Sequence, residues 1–322
     1  YGSGSRIRTM KTAFLFPGQG AQTVGMGADI ALAFPSAAAL FDKANEIVGF
    51  DLQKVCFEGP ADRLNTTTMS QPAIFATSAA FLEVLRTDPA TAGLKPDVTA
   101  GLSMGEYTAL YAAGAISFED GLRLVKKRGE AMQAAADETP GGMVSLIGLD
   151  EDKVRQLCDE AGDGELIDPV NFNCPGQIVV SGTRGACDRA ERLAEKYGAM
   201  KAVRLEVAGA FHTQLMSDAA EALQNALRQA RIAPPGPVKT IVNITGEYYV
   251  NADGIIDGLT RQLVSPILWQ KCVERLLGDG VEQFYEIGPG RVLTGLMKRI
   301  NRKAKVTNVS DLSSLRALIE GA

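Results

Sequence analysis

The stretch Val98-Thr99-Ala100-Gly101-Leu102-Ser103-Met104-Gly105 decides how this chain is read. Val98 to Leu102 is a short strand pattern, and Met104 to Ala113 reads as a helix directly after it. Between them, Gly101, Ser103 and Gly105 fit Gly-x-Ser-x-Gly, which sets a serine on a sharp turn from strand into helix. The glycines let the backbone turn tightly and let neighbouring chain approach, so the Ser103 hydroxyl stands exposed. The helix points free N–H groups and its positive end at the same spot, where an oxyanion would be stabilised. Taken alone, the motif also fits a glycine-lined turn with no chemistry.

Working outward, Lys11 to Phe16 reads as a buried strand ended by the loop Pro17-Gly18-Gln19-Gly20. Ala28 to Val48 is Ala-rich and mainly helical, and Pro72 to Leu85 is a second apolar helix. Ser117 caps the next helix, with Asp120 three positions later in place of Glu. Strands alternating with helices predict a mostly parallel α/β sheet. The pattern resumes at Lys239 to Ile244 and at Gln283 to Ile287. Loops at strand carboxyl ends in such sheets bind ligands. The Phe16–Gly20 loop lacks the phosphate-binding pattern, so no nucleotide site is read there.

The middle of the chain differs. Met143–Leu149, Glu165–Asn171, Gln177–Ser181 and Lys201–Val207 read as strands, and Asp150–Ala161 and Arg184–Tyr197 as helices. The order β-α-β-β-α-β is the ferredoxin-like signature and predicts an inserted subdomain at 137–208. Residues 10–136 and 209–322 then form the larger α/β subdomain. Residues 1–9, with Gly-Ser-Gly-Ser and no apolar core, are expected to be an expression-tag scar before a natural Met10.

A serine is a weak nucleophile and needs a base, usually histidine. The chain has one histidine, His212. If Ser103 works through a Ser–His pair, His212 is the base, and the two assignments stand or fall together. Arg128 is the third unusual residue. Leu124 and Val125 lie one helical turn before it and Ala131 and Met132 one turn after, so it shares their apolar face. An arginine there needs an anionic partner. A structural salt bridge, a snorkelling side chain and a fork for a substrate carboxylate all fit the spacing.

Composition bounds the function. With 33 Lys+Arg against 38 Asp+Glu, the net charge of −5 does not suggest a nucleic-acid binder. No apolar run is long enough to span a bilayer, and a cytoplasmic location is expected. Cys56, Cys158, Cys174, Cys187 and Cys272 are scattered without a Cys-x-x-Cys, which reads as reduced structural thiols, with no metal or disulfide.

These residues together resemble the malonyl-CoA:acyl carrier protein transacylase family, which includes acyltransferase domains of fatty-acid and polyketide synthases. The likeness runs from Met10 onward through Phe-Pro-Gly-Gln-Gly at 16–20, Gly-Leu-Ser-Met-Gly-Glu-Tyr at 101–107 and Lys-Arg-Gly at 127–129. It continues through Asn-Phe-Asn-Cys-Pro-Gly-Gln at 171–177, Gly-Ala-Phe-His at 209–212 and Glu-Ile-Gly-Pro-Gly at 286–290. The resemblance implies an α/β-hydrolase-like large subdomain with a ferredoxin-like insert. It implies Ser103 as nucleophile, His212 as base, Arg128 as partner of the malonyl carboxylate, and the N–H groups of Gln19 and Met104 as the oxyanion hole. The main-chain carbonyl of Gln262 would orient the histidine, and Asn173 and Gln71 would line the substrate cleft. Phe211, just before the base, is expected to border the acyl pocket.

The implied reaction is ping-pong transfer of malonyl from malonyl-CoA to the phosphopantetheine thiol of acyl carrier protein. It needs no cofactor, and a monomer is expected. Candidate carrier contacts are Arg184, Arg189, Arg192 and Lys196 on the small subdomain and Lys298, Arg299 and Arg302 near the tail, any of which could equally be solvated surface. The family usually has His at the position of Leu102, and leucine cannot donate a hydrogen bond. The alternatives are a serine hydrolase or thioesterase, which has no use for an arginine fork, and a non-catalytic carrier-docking subunit.

Overall fold

The computed structural model describes residues 10–321, so the expected scar at 1–9 lies outside the described residues. The strands are β1 Lys11–Phe16, β2 Val98–Gly101, β3 Gly141–Ile147, β4 Ile167–Cys174, β5 Gln177–Thr183, β6 Lys201–Arg204, β7 Lys239–Thr240, β8 Val281–Ile287 and β9 Lys305–Val309. They form two sheets. One has the order β7-β2-β1-β8-β9 and is parallel throughout. The other has the order β4-β5-β3-β6 and is antiparallel throughout.

The parallel sheet fixes where chemistry can occur. β1 and β2 are neighbours, with Phe16 opposite Gly101, so their carboxyl-end loops lie side by side. From β1 the chain pairs to β2 on one side and β8 on the other, the kind of switch point at which α/β sheets open a crevice. Two glycines permit the close fit. A Cβ on Gly105 would lie 2.2 Å from the Phe16 carbonyl oxygen, and one on Gly101 would lie 2.0 Å from the Gly105 backbone.

The helix expected from Pro72 in fact spans Thr67–Thr87 and is buried along most of its length. Burial on all sides outweighs the local cost of proline within its early turns. Ala28–Val48 divides at Phe34 into helices Ala28–Ala33 and Pro35–Val48. Ser117 does cap helix Phe118–Glu138, its side chain accepting from the Asp120 N–H.

In the antiparallel sheet, helices Glu151–Gly162 and Arg184–Leu193 cover one face, burying Val144, Leu146, Val154, Leu157, Val180 and Ala190. The second helix ends at Leu193, short of Tyr197, and β6 ends at Arg204, short of Val207. β9 was not expected. Lys305 and Thr307 are exposed and only Val309 is buried, so this edge strand carries little apolar signal. β7 has only two residues. Backbone ties β4 to the segment that precedes helix Trp269–Gly278. The Phe172 N–H donates to the Ile267 carbonyl at 2.9 Å, and the Ile267 N–H donates to that of Val170 at 2.7 Å. Arg299 adds bonds to Gln177 Oε1 and to the carbonyls of Pro175 and Gly176. All five cysteines are buried and unpaired. Among the described residues, no helix is long and apolar enough to cross a membrane.

Candidate active site

Ser103 sits where β2 turns into helix Gly105–Ala112, with φ of 51°. A non-glycine residue in this left-handed region is strained and persists only where surroundings hold it. Both sides of Ser103 are held: its N–H donates to Asn243 Oδ1 at 2.7 Å, and its carbonyl accepts from Gln262 Nε2 at 3.1 Å. Asn243 Nδ2 in turn donates to the Gly101 carbonyl at 2.7 Å. The serine is thus presented by a turn whose geometry is enforced from outside it.

His212 is buried and also has a positive φ, 64°. Its Nε2 lies 2.9 Å from Ser103 Oγ, and its Nδ1 lies 2.7 Å from the main-chain carbonyl oxygen of Gln262. A carbonyl only accepts, so the proton sits on Nδ1 and Nε2 is free to accept from the serine. Burial, and then the nearby Arg128 charge, push the His212 pKa down to about 3, with the Gln262 carbonyl opposing them. The imidazole is therefore neutral and ready to accept a proton at neutral pH.

Arg128 is fully buried. Its Nη1 donates to Gln71 Oε1 at 2.9 Å, and its Nη2 to Gln262 Oε1 and Ser103 Oγ, both at 3.0 Å. Among the described residues no carboxylate lies within ion-pair distance of it, so the structural salt bridge left open by the spacing is not formed. A buried guanidinium bonded only to neutral oxygens is a positive charge beside the serine with no carboxylate in direct contact.

These side chains meet at a cleft of about 390 Å³ lined by Gln19, Ser103, Arg128, Phe211 and His212. Met132, Met143, Leu205 and Val207 give it an apolar wall, and Gln22, Asn65, Asn171 and Glu206 a polar one. Neither the Gln19 N–H nor the Met104 N–H has an acceptor among the described residues. Gln71 is behind the wall and reaches the site through Arg128, with its amide nitrogen against Met132 Sδ. Asn173 is buried and is not on the wall; Asn171, two residues earlier on the same bulged strand, is. Leu102 lines the cleft and packs on the core beneath the sheet.

Sequence reasoning missed Glu106, Asn243 and Tyr249. Glu106 is fully buried on the first turn of its helix, bonded to Tyr249, Gln262 and Asn243. Its place in the quoted Gly-Leu-Ser-Met-Gly-Glu-Tyr run was the available signal. Among the described residues, no group of three or more His, Cys, Asp or Glu could hold a metal ion. Of the candidate carrier contacts, Arg189 is bound to Glu165 and to the Ala161 and Gly162 carbonyls, Lys196 to Glu160, and Arg299 to the β4–β5 turn. Arg184, Arg192, Lys298 and Arg302 are exposed and make no ion pair with the described residues.

Residues 13–318 match the acyl transferase domain family. The chain is 42% identical over 311 residues to the malonyl CoA-acyl carrier protein transacylase of Bacillus subtilis, covering 96% of each protein. It is likewise 42% identical to that of Escherichia coli K12, covering 96% of this chain and 98% of the other. Among solved structures, it superposes with TM-score 0.92 and 39% identity on a malonyl-transacylase in complex with its type II PKS acyl-carrier protein, covering 97% of this chain and 100% of that one. The malonyl CoA-acyl carrier protein transacylase of Clostridium perfringens matches at TM-score 0.89 and 39% identity, covering 97% and 96%.

Proposed function

The chain belongs to the malonyl-CoA:acyl carrier protein transacylases of the acyl transferase domain family, and from that membership we propose that it moves malonyl from malonyl-CoA to acyl carrier protein through an ester on Ser103. The observation that carries the reading is the 2.9 Å contact between Ser103 Oγ and His212 Nε2, with Arg128, which touches no carboxylate, one hydrogen bond away.

The malonyl carboxylate binds the Arg128 guanidinium as an ion pair. His212 Nε2 takes the hydroxyl proton as Ser103 Oγ attacks the thioester carbonyl. The Gln19 and Met104 N–H groups face the developing oxyanion, as donors fixed before the reaction. Collapse breaks the C–S bond, and His212 returns its proton to the coenzyme A sulfur. The phosphopantetheine thiol of acyl carrier protein then repeats the sequence: it gives its proton to His212 and attacks the ester, and Ser103 leaves with the proton restored. The Gln262 carbonyl keeps Nδ1 protonated throughout. No step calls on a cofactor. The product supplies extender units for fatty-acid or polyketide synthesis.

The parallel sheet supports an α/β-hydrolase-like subdomain at 10–136 and 209–322. The βαββαβ order and antiparallel β4-β5-β3-β6 sheet support a ferredoxin-like subdomain at 137–208. We take the protein to act as a cytoplasmic monomer.

The test is intact-mass spectrometry after incubation with malonyl-CoA. Wild type gains a malonyl adduct on a peptide containing Ser103, and Ser103→Ala gains none. An adduct that survives in the mutant removes Ser103 from the reaction, and absence of any adduct in wild type favours a docking subunit.

A further inference from the structure

Glu106 is not part of the cleft wall, yet the groups that shape the dyad converge on it. Its Oε2 accepts from Gln262 Nε2 at 2.5 Å, and its Oε1 accepts from the Tyr249 hydroxyl at 2.6 Å and the Asn243 N–H at 3.4 Å. We propose that Glu106 is a positioning residue for both halves of the dyad, holding through Asn243 and Gln262 the strained turn of Ser103 and the carbonyl against which His212 is set. The inference rests on the Ser103–His212 reading above.

The argument starts from what a carboxylate can do: it only accepts. Facing Glu106, the Gln262 amide must present Nε2, and its Oε1 then points to Arg128. Flipped, it would set Oε1 against the carboxylate and Nε2 against the guanidinium, two like-sign contacts in a buried site. The second Nε2 hydrogen goes to the Ser103 carbonyl. Asn243 works on the other side, giving its N–H to Glu106 while its Oδ1 takes the Ser103 N–H. Both backbone hydrogen-bonding groups of the strained serine therefore rest on residues anchored to one buried carboxylate. The residue whose main-chain oxygen orients His212 is one of those two.

The titratable and charged groups around Glu106 are Arg128 and Tyr249, which act on it, and Tyr107 and Cys272, whose hydroxyl and thiol its charge pushes up. Burial pushes its carboxyl up to about 7, against hydrogen bonds from Tyr249, Gln262 and Asn243 and the Arg128 charge. A proton there turns one acceptor into a donor and breaks the arrangement. Activity carried by the ionised form rises with pH through about 7, a region where His212, at about 3, does not titrate.

The experiment is Glu106→Gln, an isostere that keeps only one accepting oxygen, so that whichever way its amide turns, either Gln262 Nε2 or the Asn243 N–H faces another donor and one of the two anchors is lost. Single-turnover acylation by malonyl-CoA, normalised to acylatable sites, should fall by about 100-fold, the cost of roughly ångström-scale misplacement. KM should change by only a few-fold, since Glu106 touches no substrate. The wild-type fall in rate below about pH 7 should vanish in the variant. A purely structural role would lower the number of acylatable sites and leave the rate per site intact. A folded Glu106→Gln with wild-type rate and pH profile overturns the proposal. If that variant does not fold, Gln262→Met replaces it: it keeps the main-chain carbonyl, removes both polar ends, and should show a similar loss. A wild-type rate in Gln262→Met overturns the proposal equally. A malonyl adduct persisting in Ser103→Ala would instead remove the dyad on which the proposal rests.

Discussion

Arg128 and His212 converge on one atom: Arg128 Nη2 lies 3.0 Å and His212 Nε2 2.9 Å from Ser103 Oγ. The guanidinium charge is one of the two causes that depress the imidazole. On the mechanism proposed above, a substrate carboxylate on Arg128 would neutralise that charge and raise the basicity of His212 as it binds. Malonyl-CoA would thereby strengthen the base that acts on it, and acetyl-CoA, without a carboxylate, would not.

Arg128→Ala should therefore lose malonyl transfer while gaining relative activity on acetyl-CoA. Arg128→Lys should rescue poorly, because an ammonium lacks the planar two-donor fork. Parallel intact-mass loading with both thioesters measures this. An unchanged malonyl-to-acetyl preference in Arg128→Ala would make the arginine structural.

His212 also leaves a mark on stability. Its folded pKa, about 3, lies below the unfolded value near 6.5. Between these pH values the unfolded chain binds a proton that the folded chain refuses. The contribution is full above about 6.5 and is lost as pH falls toward 3. His212→Gln should lose less stability than wild type between pH 7 and about 4.5, compared by denaturant midpoints. Equal losses in the two proteins would contradict the depressed pKa.

Phe211 is buried beside the base and lines the cleft with Met132 and Met143. A branched methylmalonyl carbon would press on that ring, and packed walls resist an added methyl. A single methyl is worth roughly 1–3 kcal/mol, or about 10–200-fold in discrimination, so the preference for malonyl-CoA should be strong but incomplete. Phe211→Ser should raise the methylmalonyl-to-malonyl ratio of kcat/KM while lowering both rates. Proportional loss of the two activities would make Phe211 simple packing.

The candidate carrier contacts divide by their bonds. Reversing Arg184, Arg192, Lys298 and Arg302 should slow transfer to the carrier, if these four charges dock it, and spare loading from malonyl-CoA. Added salt should mimic this, since exposed charges are screened within about 10 Å at 0.1 M. Arg299→Glu should instead lower the melting temperature, because it breaks three bonds to the β4–β5 turn. Salt-independent transfer would sink the electrostatic part of this account.

The sequence pointed to Ser103, His212 and Arg128, which the structure brings together, because each has a local sign: a glycine-flanked serine, a lone histidine, a charge on an apolar face. It did not carry Glu106 or Asn243. Their partners lie more than 130 positions away, at Asn243, Tyr249 and Gln262 for the first and at Ser103 and Gly101 for the second. A glutamate on a helix's first turn reads as favourable to the helix dipole, and nothing in its neighbours announces that it is buried. The two-sheet division was legible through the order of strands and helices. β9 was not, because an edge strand with exposed Lys305 and Thr307 lacks the apolar alternation that marks a strand.

The backbone bonds joining Ile267 to Val170 and Phe172 set a limit on adaptation. Asn171 on one wall of the cleft lies between the two bonded residues, and Gln262, whose carbonyl meets His212 Nδ1, is five positions before Ile267 in the chain. A cleft stitched in this way has a gauge fixed by main chain. New acyl groups must then be accommodated by exchanging side chains such as Phe211, Met132 or Met143, so a change of substrate range is open to single substitutions and does not require a new arrangement of the two sheets.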